Sequence, residues 1–221
     1  ALPIYENVQT AAGYLFARPA DFFLAVWNSV IGAYDALFRG SIFNYKALDS
    51  IGMIKPITET LSYATPITLA GLGMAVAFRS GLFNIGGTGQ IIFGAMGAAW
   101  VGFTFDLPAF IHLPLAVFAG VLAAALFGGF VGFLKATTGA NEVIVTIMLN
   151  YIAGLLLFYV LTTPLFQAPG ATNPISPEIV ESSKYWRFMG DSFRINASFF
   201  VMLAMVATVW WLLNRSSIGF Q

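Results

Sequence analysis

Cysteine is absent, histidine occurs once, and charged residues make up only 9% of these 221 residues. An average soluble domain carries about 25% charge. Without cysteine there is no disulfide framework and no thiolate metal site. Ten Lys/Arg balance ten Asp/Glu, which excludes a basic nucleic-acid face and a charge-rich disordered chain. His112 is the one side chain expected to titrate near neutrality. With no thiol and no paired carboxylates in the apolar runs, hydrolase triads, zinc sites and proton relays lack their residues. Initiator Met, basic n-region and cleavage site are also missing, so the sequence reads as a central piece of a longer protein. What is abundant is apolar surface, 58% of the residues. Twenty charges cannot cover a soluble exterior of this size, so the solvent for most of it is lipid.

A helix needs about 20 apolar residues to cross the hydrocarbon core. Five segments meet that pattern, 57–78, 86–105, 113–134, 142–162 and 197–213, which predicts an all-α, polytopic transmembrane bundle over 57–221. Residues 1–56 form a separate segment before it. Within that segment Asp21, Asn28 and Asp35 recur every seven residues and share one helical face over 21–38. An amphipathic helix lying along the membrane surface fits this better than a sixth span. Arg79, Lys135 and Arg215 follow the first, third and fifth spans, placing 79–85, 135–141 and 214 onward in the cytoplasm. Residues 1–56, 106–112 and 163–196 are then external. Four prolines and six charged residues make 163–196 a wet loop, read either as a solvated connector or as a docking surface.

The span 113–134 carries Ala116, Gly120, Ala124, Gly128 and Gly132 at four-residue spacing. In lipid, helices associate by close backbone approach along such small faces, so these five are predicted to pack helices. Polar groups inside the spans are costly unless paired or lining a cavity. Glu142, Thr146 and Asn150 make one stripe, Gln90 lies in the second span, and Asn84 sits before it. The run Gly86-Gly87-Thr88-Gly89 reads in two ways. It opens a discontinuous helix with free N–H groups facing a cavity, or it is a tight turn capped by Asn84 and Thr88. Pro66 is expected to kink the first span. The candidate pathway residues are Asn84, Gln90, Thr146, Asn150 and Tyr151, with Tyr63 a weaker aromatic candidate. No metal site is expected.

The stretches Phe78-Arg-Ser-Gly-Leu-Phe-Asn-Ile-Gly-Gly-Thr-Gly-Gln90 and Thr138-Gly-Ala-Asn-Glu-Val-Ile-Val-Thr-Ile-Met-Leu-Asn-Tyr-Ile-Ala153 resemble signatures of bacterial ABC importer permeases of the simple-sugar and nucleoside type. These are related to ribose and branched-chain amino acid permeases. Asn141-Glu-Val through Leu149-Asn150 is most similar to the nucleoside subgroup. Pro66-Ile-Thr-Leu-Ala-Gly-Leu72 and Asn214-Arg-Ser-Ser-Ile-Gly219 also match. Where the family usually has Gly-Ala-Glu-Gly-Gln, this chain reads Gly86-Gly-Thr-Gly-Gln90 and lacks the carboxylate. The resemblance implies a non-enzymatic, multi-pass permease subunit of the bacterial inner membrane that binds no cofactor itself. It implies a second, homologous permease subunit, a cytoplasmic ATP-binding subunit that uses ATP and Mg, and an external substrate-binding lipoprotein or periplasmic protein. It further implies one span before Ala1 and an ATPase-coupling segment after Gln221. Nucleosides are the expected substrate and simple sugars the alternative. A channel or a secondary transporter working without an ATPase is disfavoured by the absence of ion-coordinating clusters in the spans.

Overall fold

The computed structural model describes residues 8–13 and 15–215. After a short helical stretch at 8–12, the long helices are α1 (Pro19–Ser41), α2 (Ser50–Arg79), α3 (Gly87–Thr104), α4 (Ala109–Thr138), α5 (Glu142–Val160) and α6 (Ser198–Arg215), with a 3₁₀ turn at Glu181–Ser183. No strand occurs among the described residues. Each of the five expected spans is helical, and four helices are long and apolar enough to cross a membrane: α2, α4, α5 and α6. The fifth, α3, falls short of that group. Its 18 residues equal those of α6, so composition makes the difference: Gln90, Thr88, Thr104 and five glycines dilute its apolar content.

The described chain divides into two compact units. One takes in the residues through Thr65 together with Arg187–Phe199; the other comprises Pro66–Trp186 and the residues from Phe200. The division cuts α2 at Thr65–Pro66. Pro66 supplies no N–H to the helical ladder, yet the helical run continues through it. The expected segment boundary at residues 56–57 therefore lies inside one helix. The serine and threonine hydroxyls before Pro66 are bonded locally, Ser62 to the Thr58 carbonyl and Thr65 to the Leu61 carbonyl.

In the first unit, Pro19 occupies the opening turn of α1, where a missing N–H costs nothing. Asp35 on this helix accepts from Tyr45 Oη and pairs with Arg39 at 2.9 Å and Lys46 at 3.2 Å. The Tyr45 hydrogen bond, followed by the two cations, holds the Asp35 carboxyl down at about 2. The same bond raises the Tyr45 phenol. A second face of α1 carries Phe23, Trp27, Val30 and Tyr34, all exposed. Further along, Arg194 donates to Tyr63 Oη at 3.0 Å and lies 3.7 Å from the Glu59 carboxylate.

The second unit is built on α3 against α4. A Cβ on Gly120 would lie 2.9 Å from the Gly94 carbonyl oxygen, and one on Gly97 would lie 2.8 Å from that of Ala119. Neither backbone can give way, so glycine is what permits the contact. Ala116 is buried and Ala124 faces Gly94. The small face ends there: Gly132 is exposed with open space around it. Gly128 meets the Gln90 side chain instead of a backbone.

At one end of this unit the segment after α5 folds back. Val180 N–H donates to the Gly102 carbonyl at 2.9 Å, Phe166 is buried edge-on to Phe103, and Ser183 is buried. Fully buried His112 is the fourth residue of α4, which starts at Ala109. Its Nε2 bonds the Val101 carbonyl at 3.0 Å and its Nδ1 the Ser182 hydroxyl at 2.7 Å. A carbonyl only accepts, so Nε2 donates to Val101. Burial raises the Tyr185 phenol in the same segment. The expected wet loop is thus fastened at Phe166, Val180, Ser182 and Ser183, while its Glu178 and Glu181 stay exposed.

Candidate functional site

The opposite end of the second unit gathers most of the polar residues singled out above. Helix α4 stops at Gly139, whose φ of 65° takes the left-handed conformation that glycine tolerates. Asn141 then caps α5, its side chain accepting from Val143 N–H at 3.0 Å and Ile144 N–H at 3.4 Å. This short turn points Glu142 at the loop before α3. Its Oε1 accepts from Phe83 N–H at 2.9 Å, and Oε2 pairs with Lys135 of α4. One carboxylate therefore ties α4, α5 and the 82–86 loop together.

Two turns further along α5, Asn150 completes the tie. Its Oδ1 accepts from Gly89 N–H at 2.8 Å and its Nδ2 donates to the Ile85 carbonyl at 3.0 Å. The residue before α3, Gly86, offers no side chain to cap the helix, so Asn150 caps α3 from a neighbouring helix. Asn84 Oδ1 accepts from Gly86 N–H at 2.9 Å. These bonds match the tight-turn reading of the glycine run, with one correction. The second cap is Asn150, whereas Thr88 is exposed and its hydroxyl makes no hydrogen bond among the described residues. Thr146 is fully buried, donates back to the Glu142 carbonyl at 2.7 Å, and lies against Gly86.

Three of the five candidates, Asn84, Thr146 and Asn150, thus have hydrogen bonds to backbone. Tyr151 is exposed on α5; the structure does not bring it to this cluster. Gln90 differs from all of these. It is half-buried, its amide lies over Gly128, and it makes no side-chain hydrogen bond among the described residues. Every enclosed side-chain N or O described has a partner, so the Gln90 amide opens onto accessible space. Beside it Phe93 and Phe127 stack with centroids 4.2 Å apart at 22°, and the Phe127 ring covers Gly89. Neither phenylalanine was evident as a site residue in the sequence. The available signal was positional: Phe93 follows Gln90 by three residues, and Phe127 adjoins Gly128 in the small-residue ladder.

A separate cavity of about 430 Å³ lies between α3, α5 and the fastened segment, lined by Ile92, Met96, Leu157, Leu161, Phe166 and Ile175 among others. Its walls are almost wholly apolar. No cluster of three His, Asp or Glu that could hold a metal ion exists among the described residues.

Residues 57–221 match the family described as branched-chain amino acid transport system, permease component. The chain is 39% identical over 205 residues to the guanosine ABC transporter permease protein NupP of Bacillus subtilis, covering 93% of this chain and 56% of that protein. It is 31% identical over 227 residues to the glucose ABC transporter permease protein TsgB13 of Haloferax volcanii, covering 92% and 59%. It is 29% identical over 216 residues to the nucleoside ABC transporter permease protein NupB of Lactococcus lactis, covering 93% and 56%. The chain spans little more than half the length of these relatives. No solved structure matches it.

Proposed function

The chain belongs to the branched-chain amino acid transport permease family, and from that premise we propose that it forms part of the membrane pathway of an ABC importer for nucleosides. The observation that carries this reading joins sequence and structure. The two stretches of densest family resemblance, Phe78–Gln90 and Thr138–Ala153, are locked to each other by Asn150 and Glu142. They form one polar junction inside an apolar helix cluster, and two of the relatives above carry nucleoside or guanosine in their names. The glucose name of a third keeps simple sugars as the alternative.

The permease works with an ATP-binding subunit in the cytoplasm, where ATP and Mg are used, with a second homologous permease subunit and with an external substrate-binding protein. It sits in the bacterial cytoplasmic membrane. Residues 79–85 and 135–141 face the cytoplasm, while 1–56, 106–112 and 163–196 are outside. Support comes from the pairing of ends in the second unit. Phe83, Lys135 and Glu142 meet at one end, and Val101, His112 and Ser182 meet at the other. On the outside, α1 lies along the membrane with its aromatic stripe in the interface, where such rings favour the headgroup level.

Uptake of labelled guanosine and labelled ribose by cells expressing the complete transporter tests this reading. Guanosine uptake that stops when the ATPase subunit is inactivated is the expected result. Ribose uptake alone would transfer the assignment to sugars, and uptake without the ATPase would favour a secondary transporter.

A further inference from the structure

The sequence places five candidates along the pathway, but the structure separates their roles. We propose that Gln90, with the stacked Phe93–Phe127 pair, is the subsite that reads the edge of a flat heteroaromatic base. The proposal rests on the nucleoside reading above. Asn84, Thr146 and Asn150 instead shape the loop that presents the subsite.

The argument begins with hydrogen-bond demand. An amide side chain offers two donors and two acceptor lone pairs. Asn150 uses both ends of its amide on backbone groups of the 85–89 segment, and Asn84 accepts from Gly86. Gln90 uses neither end on any described residue, although it is half-buried within an apolar helix pair. An amide turned to lipid in that state is costly. A polar path that admits a solute removes the cost.

The surroundings select the chemistry of that solute. Gly128 is the position on α4 across which the Gln90 amide lies, for a Cβ there would stand 2.6 Å from Nε2. The absent side chain therefore leaves room for an amide and not for a second helix backbone. One residue away Phe127 stacks on Phe93, which shares its face of α3 with Gln90. A carboxamide beside an aromatic face suits a planar ring whose edge carries an adjacent acceptor and donor, as a 6-oxopurine does. A saturated sugar could lay its C–H face on a ring and use the amide, but it has no flat edge with a fixed acceptor–donor pair for the amide to read. Charge is absent from the subsite, in keeping with a neutral solute.

The test uses the complete transporter with its ATPase and binding protein, and reads uptake per recovered complex. Guanosine is the labelled solute, with inosine and a purine nucleoside lacking the 6-oxo group as competitors. Gln90→Met keeps length and apolar bulk and removes hydrogen bonding. It is expected to lower guanosine uptake about tenfold, the scale of one hydrogen bond, and to bring the two competitors to equal potency. Gln90→Glu keeps the shape but loses the donor, and should reverse or flatten the same ranking. Selectivity is the deciding readout, because a packing role alone would not move it. If both variants keep the wild-type competitor ranking, the subsite assignment is overturned while the nucleoside reading stands. If the wild-type complex imports no nucleoside, both are overturned.

Discussion

At the scale of single residues, one amide is worth more to the structure than its exposure suggests. Asn150→Leu leaves the Gly89 N–H and the Ile85 carbonyl without their partners, at about 1–3 kcal/mol for each group kept from water. Asn150→Asp keeps the acceptor for Gly89 but loses the donor and sets a carboxylate oxygen against the Ile85 carbonyl. Thermal unfolding of the purified complex should therefore rank wild type above both variants. Equal melting temperatures would show that the cap contributes nothing. Asp35 offers a pH-dependent case outside the spans. Its carboxyl is held at about 2, below the ordinary 3.8, first by Tyr45 and then by its two cations. A lowered carboxyl stabilises the folded state in full above the unfolded value and loses that contribution as pH falls towards 2. The 45–46 turn should thus hold at pH 4 and loosen between about 4 and 2. Asp35→Asn should remove this dependence and lower the Tyr45 phenol towards its ordinary 10.0. Amide exchange at Lys46 measures the first effect, and ultraviolet titration against Tyr45→Phe measures the second.

At the scale of elements, the helix pair α3–α4 depends on backbone approach at Gly94, Gly97 and Gly120. Gly120→Leu sets a side chain against a carbonyl that cannot move, and should cost at least the upper part of the roughly 1–3 kcal/mol usual for overpacking. Gly132→Leu meets open space and should be tolerated. Recovery of folded permease from membranes compares the two, and equal recovery would argue against close helix approach. Helix α1 makes a different prediction. The chain has no cysteine, so each introduced thiol carries a spin label at a unique position. Labels at Phe23, Trp27 and Tyr34 should collide with oxygen, while labels at Asp21 and Asn28 should collide with a water-soluble relaxant. That periodicity should persist along the whole helix. A depth maximum at its centre on every face would make α1 a span, and protection from both reagents would place protein over the stripe.

At the scale of the whole molecule, topology decides what the two ends of the second unit can do. Thr138 and Glu178 are both exposed. Cysteines introduced there should react with an impermeant thiol reagent from opposite sides of the membrane, and labelling of both from outside would overturn the orientation. Ser182 is a poor reporter, since its hydroxyl is held by His112. His112→Ala should free that fastening and speed proteolysis within 166–183, with the α5 end unaffected.

Most of the helical architecture was legible in the sequence for a simple reason. Spans are long apolar runs bounded by glycine, proline and charge, and lipid forces such runs to satisfy their backbones as helices. The glycine run before Gln90 was legible as a break in the helical pattern, but its second cap was not, because Asn150 reaches it from α5. The partner of each polar side chain was not. Glu142, Thr146 and Asn150 share one face of α5 by periodicity alone, which marks them as inward-facing without saying what they meet. Only the tertiary structure decided that two of the three hold the loop before α3, and that Gly128 makes room for an amide. It also decided that His112 and Ser182 close a segment that looked wet. Each of these contacts joins residues about 40 to 70 positions apart, and no local pattern encodes which groups such distances bring together.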